Sequence, residues 1–362
     1  MITLDTMRDK LIPLSQVKDT LAESEPLREY NLDEGNVHFI LEDGWNHGLD
    51  TIEGTAEVQV QVSMGGVELP MSKDAILQAT SLCGLPAAYV KRAPARLIEP
   101  DLNYWYNEQG LGNRPAKLLV TKGKAAAVTR QSIKPFSNLR ILDNVLEGIE
   151  DRYGEEEILV DTKFHHALAG THLRLIIPSR RFTVEDTGVE DDEWLIGLSL
   201  FNSLTGKGKT SVNGYLFRWW CTNGAIDTKA SSGTWTRNAG GDGLDVYDWA
   251  RETVNSILEP LENSQHMLQD MAHQSIEGDI NQILTDLFED YTLPARDQKR
   301  IIENMVEDDS LTMYSLMQAI TAVANDTSMD PLEQAKLMSV GGDLPHVASA
   351  RCGSCHRIKK VV

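Results

Sequence analysis

Between Ala56 and Val62 the chain alternates, with Glu57, Gln59 and Gln61 on one side and Val58, Val60 and Val62 on the other. That is the period of a half-buried strand. Met64-Gly65-Gly66 turns it and Val67–Met71 returns, which predicts a hairpin. Ser72 with Asp74 in the first turn reads as the start of a helix running through Cys83 to a stop at Gly84, and a shorter helix follows over Pro86–Lys91. Lys117–Thr121 and Ala125–Thr129 flank Lys122-Gly123-Lys124 as a second hairpin. Ser137 or Asn138 then opens an amphipathic helix with Leu139, Leu142, Val145, Leu146 and Ile149 on one face, ending near Gly154.

Strand-like runs follow at Ile158–Phe164, His172–Ile177, Trp194–Phe201 and Tyr215–Cys221, with Asn223-Gly224 as a turn signal after the last. Beyond Gly240-Gly241-Asp242-Gly243 the period changes to a helical one, carried by Val254, Ile257, Leu258 and Leu261, then Ile280, Ile283, Leu284 and Leu287, then Leu316, Ile320 and Val323. The expected class is therefore α+β, a mainly antiparallel sheet with inserted helices followed by an acidic C-terminal helical region. The partition it suggests is an irregular acidic segment with short elements over residues 1–55 and a core over 56–243. Helices follow over 244–325, then a tail over 326–362.

Composition changes this picture mainly through charge. The 362 residues carry a formal net charge of −20. Residues 1–58 hold 13 acids and 4 bases, and residues 245–310 hold 16 acids and 4 bases, so the remainder nets +1. Arg114–Arg140 contains seven Lys/Arg and no acid, and Lys163–Val184 contains four with three histidines and no acid. Because charges beyond roughly 10 Å are screened, a local basic face survives an acidic total. Four cysteines do not make a disulfide scaffold, and no apolar run reaches the roughly 20 residues that cross a bilayer. The first residues lack the order of a secretion signal. The expectation is a protein of a reducing cytoplasm with no membrane contact.

Candidate chemistry is sparse. Ser203-Leu-Thr-Gly-Lys-Gly-Lys-Thr210 ends like a Walker A loop, but its first glycine position is Ser203, and Val212–Phe217 after it is strand-like. It reads better as a basic hairpin loop able to touch phosphates through Lys207 and Lys209. Cys352-Gly-Ser-Cys355-His356 matches a haem-attachment spacing that belongs outside a reducing cytoplasm. As a metal set, Cys352, Cys355 and His356 with His346 make half a zinc knuckle. His165 and His166, adjacent on a strand, face opposite sides and do not share an ion. Tyr104-Trp105-Tyr106, Phe217, Trp219, Trp220 and Trp235 supply aromatic faces near basic segments, the ingredients of single-strand stacking. Alternation puts Arg218 and Trp220 on one side of their strand and Phe217 and Trp219 on the other. No nucleophile elbow, H-E-x-x-H or paired-carboxylate signature stands out, so no catalytic residues are nominated.

Four segments together carry a resemblance. Lys117–Ile149 pairs a hairpin strand with a Pro135-Phe-Ser-Asn138 link and a Leu-rich helix. Trp194–Ser203 ends Phe-Asn-Ser. Tyr215–Asn223 ends Arg-Trp-Trp-Cys-Thr-Asn, and Leu311–Asn325 contains Tyr314 and Gln318-Ala-Ile-Thr321. In this, residues 60–325 resemble the phage/plasmid-like proteins called "domain of unknown function 932", although Gln318 stands where that family often shows asparagine. The resemblance implies a mobile-element protein acting in a bacterial host cytoplasm and carries over no catalytic residue.

The resulting expectation is a non-catalytic protein that binds single-stranded DNA, to protect or anneal it. Phosphate contacts would come from Lys122, Lys124, Arg130, Lys134, Arg180, Arg181, Lys207, Lys209 and Arg218, and stacking from Trp220 or Tyr104. The alternative is a structural or interaction factor of a phage, recruiting host or phage proteins through its acidic helices. The oligomeric state is open on either reading.

Overall fold

The computed structural model describes residues 11–25, 28–32, 37–46, 60–64, 66–108, 115–161, 165–167, 170–203, 209–219, 223–235, 245–276, 280–306, 312–326, 329 and 331–349. In chain order these begin with β1 (Leu11–Pro13), α1 (Leu14–Ser24), β2 (Arg28–Asn31), β3 (Val37–Leu41), β4 (Val60–Met64) and β5 (Val67–Pro70). Next come α2 (Lys73–Leu82), α3 (Ala87–Val90), α4 (Ala95–Asn103) and a π-turn over Tyr104–Glu108. The chain continues through β6 (Ala116–Thr121), β7 (Lys124–Arg130), α5 (Asn138–Tyr153), β8 (Leu159–Asp161) and β9 (His165–Ala167). β10 (Gly170–Val184), β11 (Asp192–Asn202), β12 (Thr210–Arg218) and β13 (Asn223–Trp235) complete the strands. The helices α6 (Val246–Leu261), α7 (Ser264–His273), α8 (Ile280–Tyr291), α9 (Ala295–Val306), α10 (Met313–Ala324) and α11 (Pro331–Ser349) close the described chain. The class is α+β, with antiparallel sheets and a helical C-terminal region.

The local signals act as their chemistry dictates. Ser72 accepts from the Ala75 amide and starts α2; Ser137 accepts from the Arg140 amide and starts α5. α5 ends at Gly154, whose φ of +79° suits a residue without a Cβ. The β6–β7 hairpin turns through Lys122 and Gly123, both with positive φ.

Two apolar clusters organise the molecule. The smaller gathers Phe39, Trp45, Met71, Ile76, Ile98, Leu102 and Val128 from β2–β7 and α2–α4. Here β2-β6-β7 and β3-β4-β5 form two three-stranded sheets. The larger cluster is built on a seven-stranded sheet of order β1-β8-β10-β11-β12-β13, with β9 also on β10.

The helices beyond residue 244 do not form a body of their own. Val254, Ile257 and Leu258 of α6, Leu287 of α8 and Leu316 and Ile320 of α10 are buried in the same cluster as Leu175, Leu198 and Phe217. The acidic region is thus the helical layer of the main core; most of its described acids are exposed, and Asp297 is buried. Part of that charge is answered locally: Arg152 meets Glu262 and Lys299 approaches Glu303.

Two further differences from the sequence reading have physical causes. The segment before residue 55, read as irregular with short elements and set apart from the core, contributes β1 to the large sheet, and α1 buries Val17 and Leu21. The stretch read as a polar tail contains α11, because Gly341 and Gly342 are close-approach residues there and not helix breakers. A Cβ at Gly342 would run into the Ile226 carbonyl of β13, and one at Gly341 would meet Thr321 at 2.6 Å.

Candidate functional site

Two of the basic segments meet at a clasp of buried polar groups. Asn202, at the end of β11, donates through Nδ2 to the Phe136 carbonyl at 2.9 Å and to Asn138 Oδ1 at 2.8 Å. Its Oδ1 accepts from the Thr210 hydroxyl at 2.8 Å. Asn138, Asn202 and Thr210 are all buried. The clasp therefore fixes the β11–β12 hairpin, which carries Lys209, against the 130–140 link, which carries Arg130, Lys134 and Arg140. All four cations are exposed, and none is held in an ion pair among the described residues.

Aromatic surface adjoins them. The Arg140 guanidinium lies 3.8 Å from the centre of the Tyr247 ring, and Phe136 meets that ring edge-on at 6.4 Å. The N-terminus of α5 is already satisfied. Glu25 accepts from the Ser137 hydroxyl at 2.5 Å and from the Leu139 amide at 2.8 Å.

A second polar cluster lies inside the core. Trp194, Arg218 and Asn223 stand in one row across β11, β12 and β13. Against this row α10 sets Tyr314 and Gln318, with Asn325 at its C-terminal end. Arg218 donates to Asp192 through Nε at 2.7 Å and through a terminal nitrogen at 2.6 Å, and to Gln318 Oε1 at 2.8 Å. The Tyr314 hydroxyl donates to Asp192 at 2.6 Å and accepts from the Trp194 indole at 3.0 Å. Asn325 donates to Asn223 Oδ1. Burial pushes the Tyr314 phenol far above its ordinary range; Arg218 pulls it down and Asp192 pushes it up.

Arg218 is thus a correction to the sequence reading. Its guanidinium is buried, because α10 packs over this end of the interior strand β12, and it is engaged with the carboxylate of Asp192. The residues that carried the family resemblance, Arg218, Asn223, Tyr314 and Gln318, converge here. Asp192 was missed, although an acid at the head of an apolar strand opposite an arginine is a usable signal. A parallel arrangement joins Arg174 to Asp161 at 3.0 Å, with the Tyr215 hydroxyl on the same carboxylate at 3.2 Å.

The other nominated cations are dispersed. Lys122 pairs with Glu23 at 3.1 Å on the surface. Lys124 is half-buried beside it in the hairpin. Arg180 pairs with Glu156 at 3.0 Å and lies over the Tyr153 ring at 4.1 Å. Arg181 approaches Glu193 at 3.9 Å. Lys122 and Lys124 turn the hairpin at the opposite end of β7 from Arg130, and Arg180 and Arg181 lie on β10. Tyr104 is exposed on the π-turn.

Lys207, Trp220, Cys352, Cys355 and His356 lie outside the described residues, as does the side chain of His346. The Walker-like string leads from Lys209 into strand β12, as a hairpin loop does, and not into a helix. The His172 ring and the Ser199 hydroxyl meet at 2.8 Å, both buried. Burial pushes the Cys83 thiol up to about 12, so it stays protonated at neutral pH. Among the described residues no group of three or more His, Cys, Asp or Glu is placed to hold a metal, and no helix is long and apolar enough to cross a membrane.

Comparison with protein-family models, with curated proteins and with solved structures finds no match for this chain. The resemblance rests on the quoted residues alone.

Proposed function

We propose that this protein binds single-stranded nucleic acid through its phosphates, without catalysis, at the junction clasped by Asn202. The reading is supported by one observation above all. Exposed Lys134, Arg140 and Lys209 lie within two residues of the clasp's Phe136, Asn138 and Thr210, and exposed Arg130 ends β7 ahead of the same link. A strand backbone laid across them would exchange its counterions for fixed guanidinium and ammonium groups. The acidic outer face of α6–α9 would repel nucleic acid elsewhere and confine it to this junction. A phage or plasmid protein protecting or annealing single strands fits both the family resemblance and this chemistry.

Anisotropy of a labelled oligothymidylate, titrated at several salt concentrations, tests the reading. Affinity should fall steeply with salt. The variant Lys134→Ala/Lys209→Ala should reduce the slope by about 1.4, at roughly 0.7 per phosphate contact on a single strand. An intact protein that leaves the oligonucleotide free at low salt would end the proposal.

The acidic helices support a second reading, an interaction factor recruiting protein partners. Glu252, Glu259, Glu289 and Glu303 are exposed on them. That reading predicts a complex on size exclusion that survives nuclease treatment.

A further inference from the structure

We infer that a second surface, on the smaller unit, stacks the bases of the strand whose phosphates the Asn202 junction holds. The inference deepens the nucleic-acid reading and rests on it. Tyr89, Leu97, Tyr104 and Trp105 are 37, 47, 45 and 39% exposed, although they lie within 17 residues of each other in sequence.

The cause is local geometry. α4 turns Ala95, Ile98 and Leu102 inward, which leaves Leu97, Pro100 and Tyr104 on its outer side. The chain then widens into the π-turn. There Tyr106 is the anchor: its hydroxyl donates to the Ala79 carbonyl at 3.2 Å and its ring lies 4.9 Å from Phe39. With Tyr106 fixed inside, Tyr104 and Trp105 stand outside as an edge-to-face pair, ring centres 6.2 Å apart and planes at 75°. Single π-turns of this sort recur at functional positions.

The sequence leading into this ledge is basic. Residues 84–98 contain Lys91, Arg92 and Arg96 and no acid. Arg92 and Arg96 are exposed, and Arg96 is one and two helical turns before Pro100 and Tyr104. Of the nearest carboxylates in sequence, one is turned inward and one lies at the ledge itself, on the exposed Tyr89. Glu99 accepts from the Leu41 amide at 2.8 Å, and Asp101 accepts from the Tyr89 hydroxyl at 3.4 Å.

Three aromatic rings with one leucine, flanked by guanidinium groups, match flat π-faced ligands with an anionic backbone better than an aliphatic protein surface. Phosphate attraction and base stacking are then divided between two surfaces. The first is blind to the presence of bases and the second requires them.

That division makes the test. The full-length protein is titrated with an oligothymidylate of about 30 nucleotides and with an abasic strand of equal length and charge. The wild type should prefer the thymidylate by roughly tenfold or more, the effect of stacking one base or more. Tyr104→Ala/Trp105→Ala should erase that preference while leaving abasic binding unchanged, and Tyr104→Phe/Trp105→Phe should keep it. If the wild type binds both strands equally, or the alanine variant weakens both alike, the ledge is no stacking surface, while the phosphate reading stands. If the wild type binds neither strand, both proposals fall. If the alanine variant loses affinity only for anionic lipid vesicles, a membrane surface replaces the bases and the inference is overturned.

Discussion

Around Arg218, two guanidinium nitrogens meet Asp192, another meets Gln318 and the group faces the Tyr314 ring at 5.4 Å, all between β12 and α10. Around Asn202, three buried residues bond to one another and to the Phe136 carbonyl, leaving the Asn138 Nδ2 buried without a partner, and the cations stand outside. Both regions join segments far apart in the chain. In the first the charge is the joint. In the second neutral amides are the joint, and the charges remain available to solvent. A buried charge needs its counter-charge to exist at all, whereas a neutral clasp leaves its neighbouring lysines and arginines without one. Only the second arrangement can present cations to a ligand.

The largest expected effect breaks the first region. Arg218→Ala strands the Asp192 carboxylate inside the core, where Tyr314 alone remains as a donor. Removing one partner of a buried ion pair destabilises by about 3–5 kcal/mol, so the urea midpoint should fall sharply. Arg140→Ala, which removes an exposed guanidinium, should leave that midpoint nearly unchanged. Equal losses for the two variants would erase the distinction between the regions.

Much of this architecture was legible beforehand because it follows from local rules. Ser72, Ser137 and Gly154 mark helix ends by their own hydrogen-bonding and backbone preferences, and the Lys122-Gly123 turn sits where its two apolar flanks put it. Alternation also sorted Arg218 from Phe217 and Trp219 correctly. It could not say which side meets water, because helices pack on this sheet and even the charged side of β12 is covered. The same limit hid α11: nothing local shows β13, against which Gly342 presses. The clasp was half visible. Lys134 and Lys209 were nominated from charge, but Arg140 was not, and nothing local connects Asn202 to Phe136. That contact depends on the tertiary fold.

Breaking the second region gives the next effect. Asn202→Ala deletes three hydrogen bonds and leaves buried Thr210 and Asn138 without that partner, a loss of roughly 2–3 kcal/mol. It removes no cation. If the clasp is what gathers Arg130, Lys134, Arg140 and Lys209, oligonucleotide affinity should drop as well, measured below the unfolding transition. Unchanged affinity in a folded variant would mean that the cations act singly.

Alkaline titration sharpens the contrast. Burial, first of all, holds the Tyr215 and Tyr314 phenols well above the ordinary value near 10, with Asp161 and Asp192 adding to it and Arg174 and Arg218 opposing. Above that pH the unfolded chain releases these protons and the folded one keeps them. The stability is therefore complete below about pH 10 and declines above it, by about 1.4 kcal/mol per pH unit for each phenol. Tyr314→Phe should remove one such contribution from the slope of unfolding free energy between pH 10 and 11. A slope identical to the wild type's would place the Tyr314 proton outside the network.

The smallest effect concerns Lys122 and Glu23, which pair at 3.1 Å with side chains 61 and 71% exposed. Water screens both charges, and two long side chains must be ordered to hold the geometry, so Glu23→Gln should change stability by less than about 0.5 kcal/mol. The pair nevertheless decides something about binding. Glu23 neutralises a cation that would otherwise extend the basic surface along the β6–β7 hairpin. If phosphates reach this hairpin, Glu23→Gln should tighten oligonucleotide binding and add roughly 0.7 to the salt slope as one more counterion is released. If the strand is confined to the Asn202 junction, neither quantity moves, and the separation between engaged and available cations extends beyond the core to the surface itself.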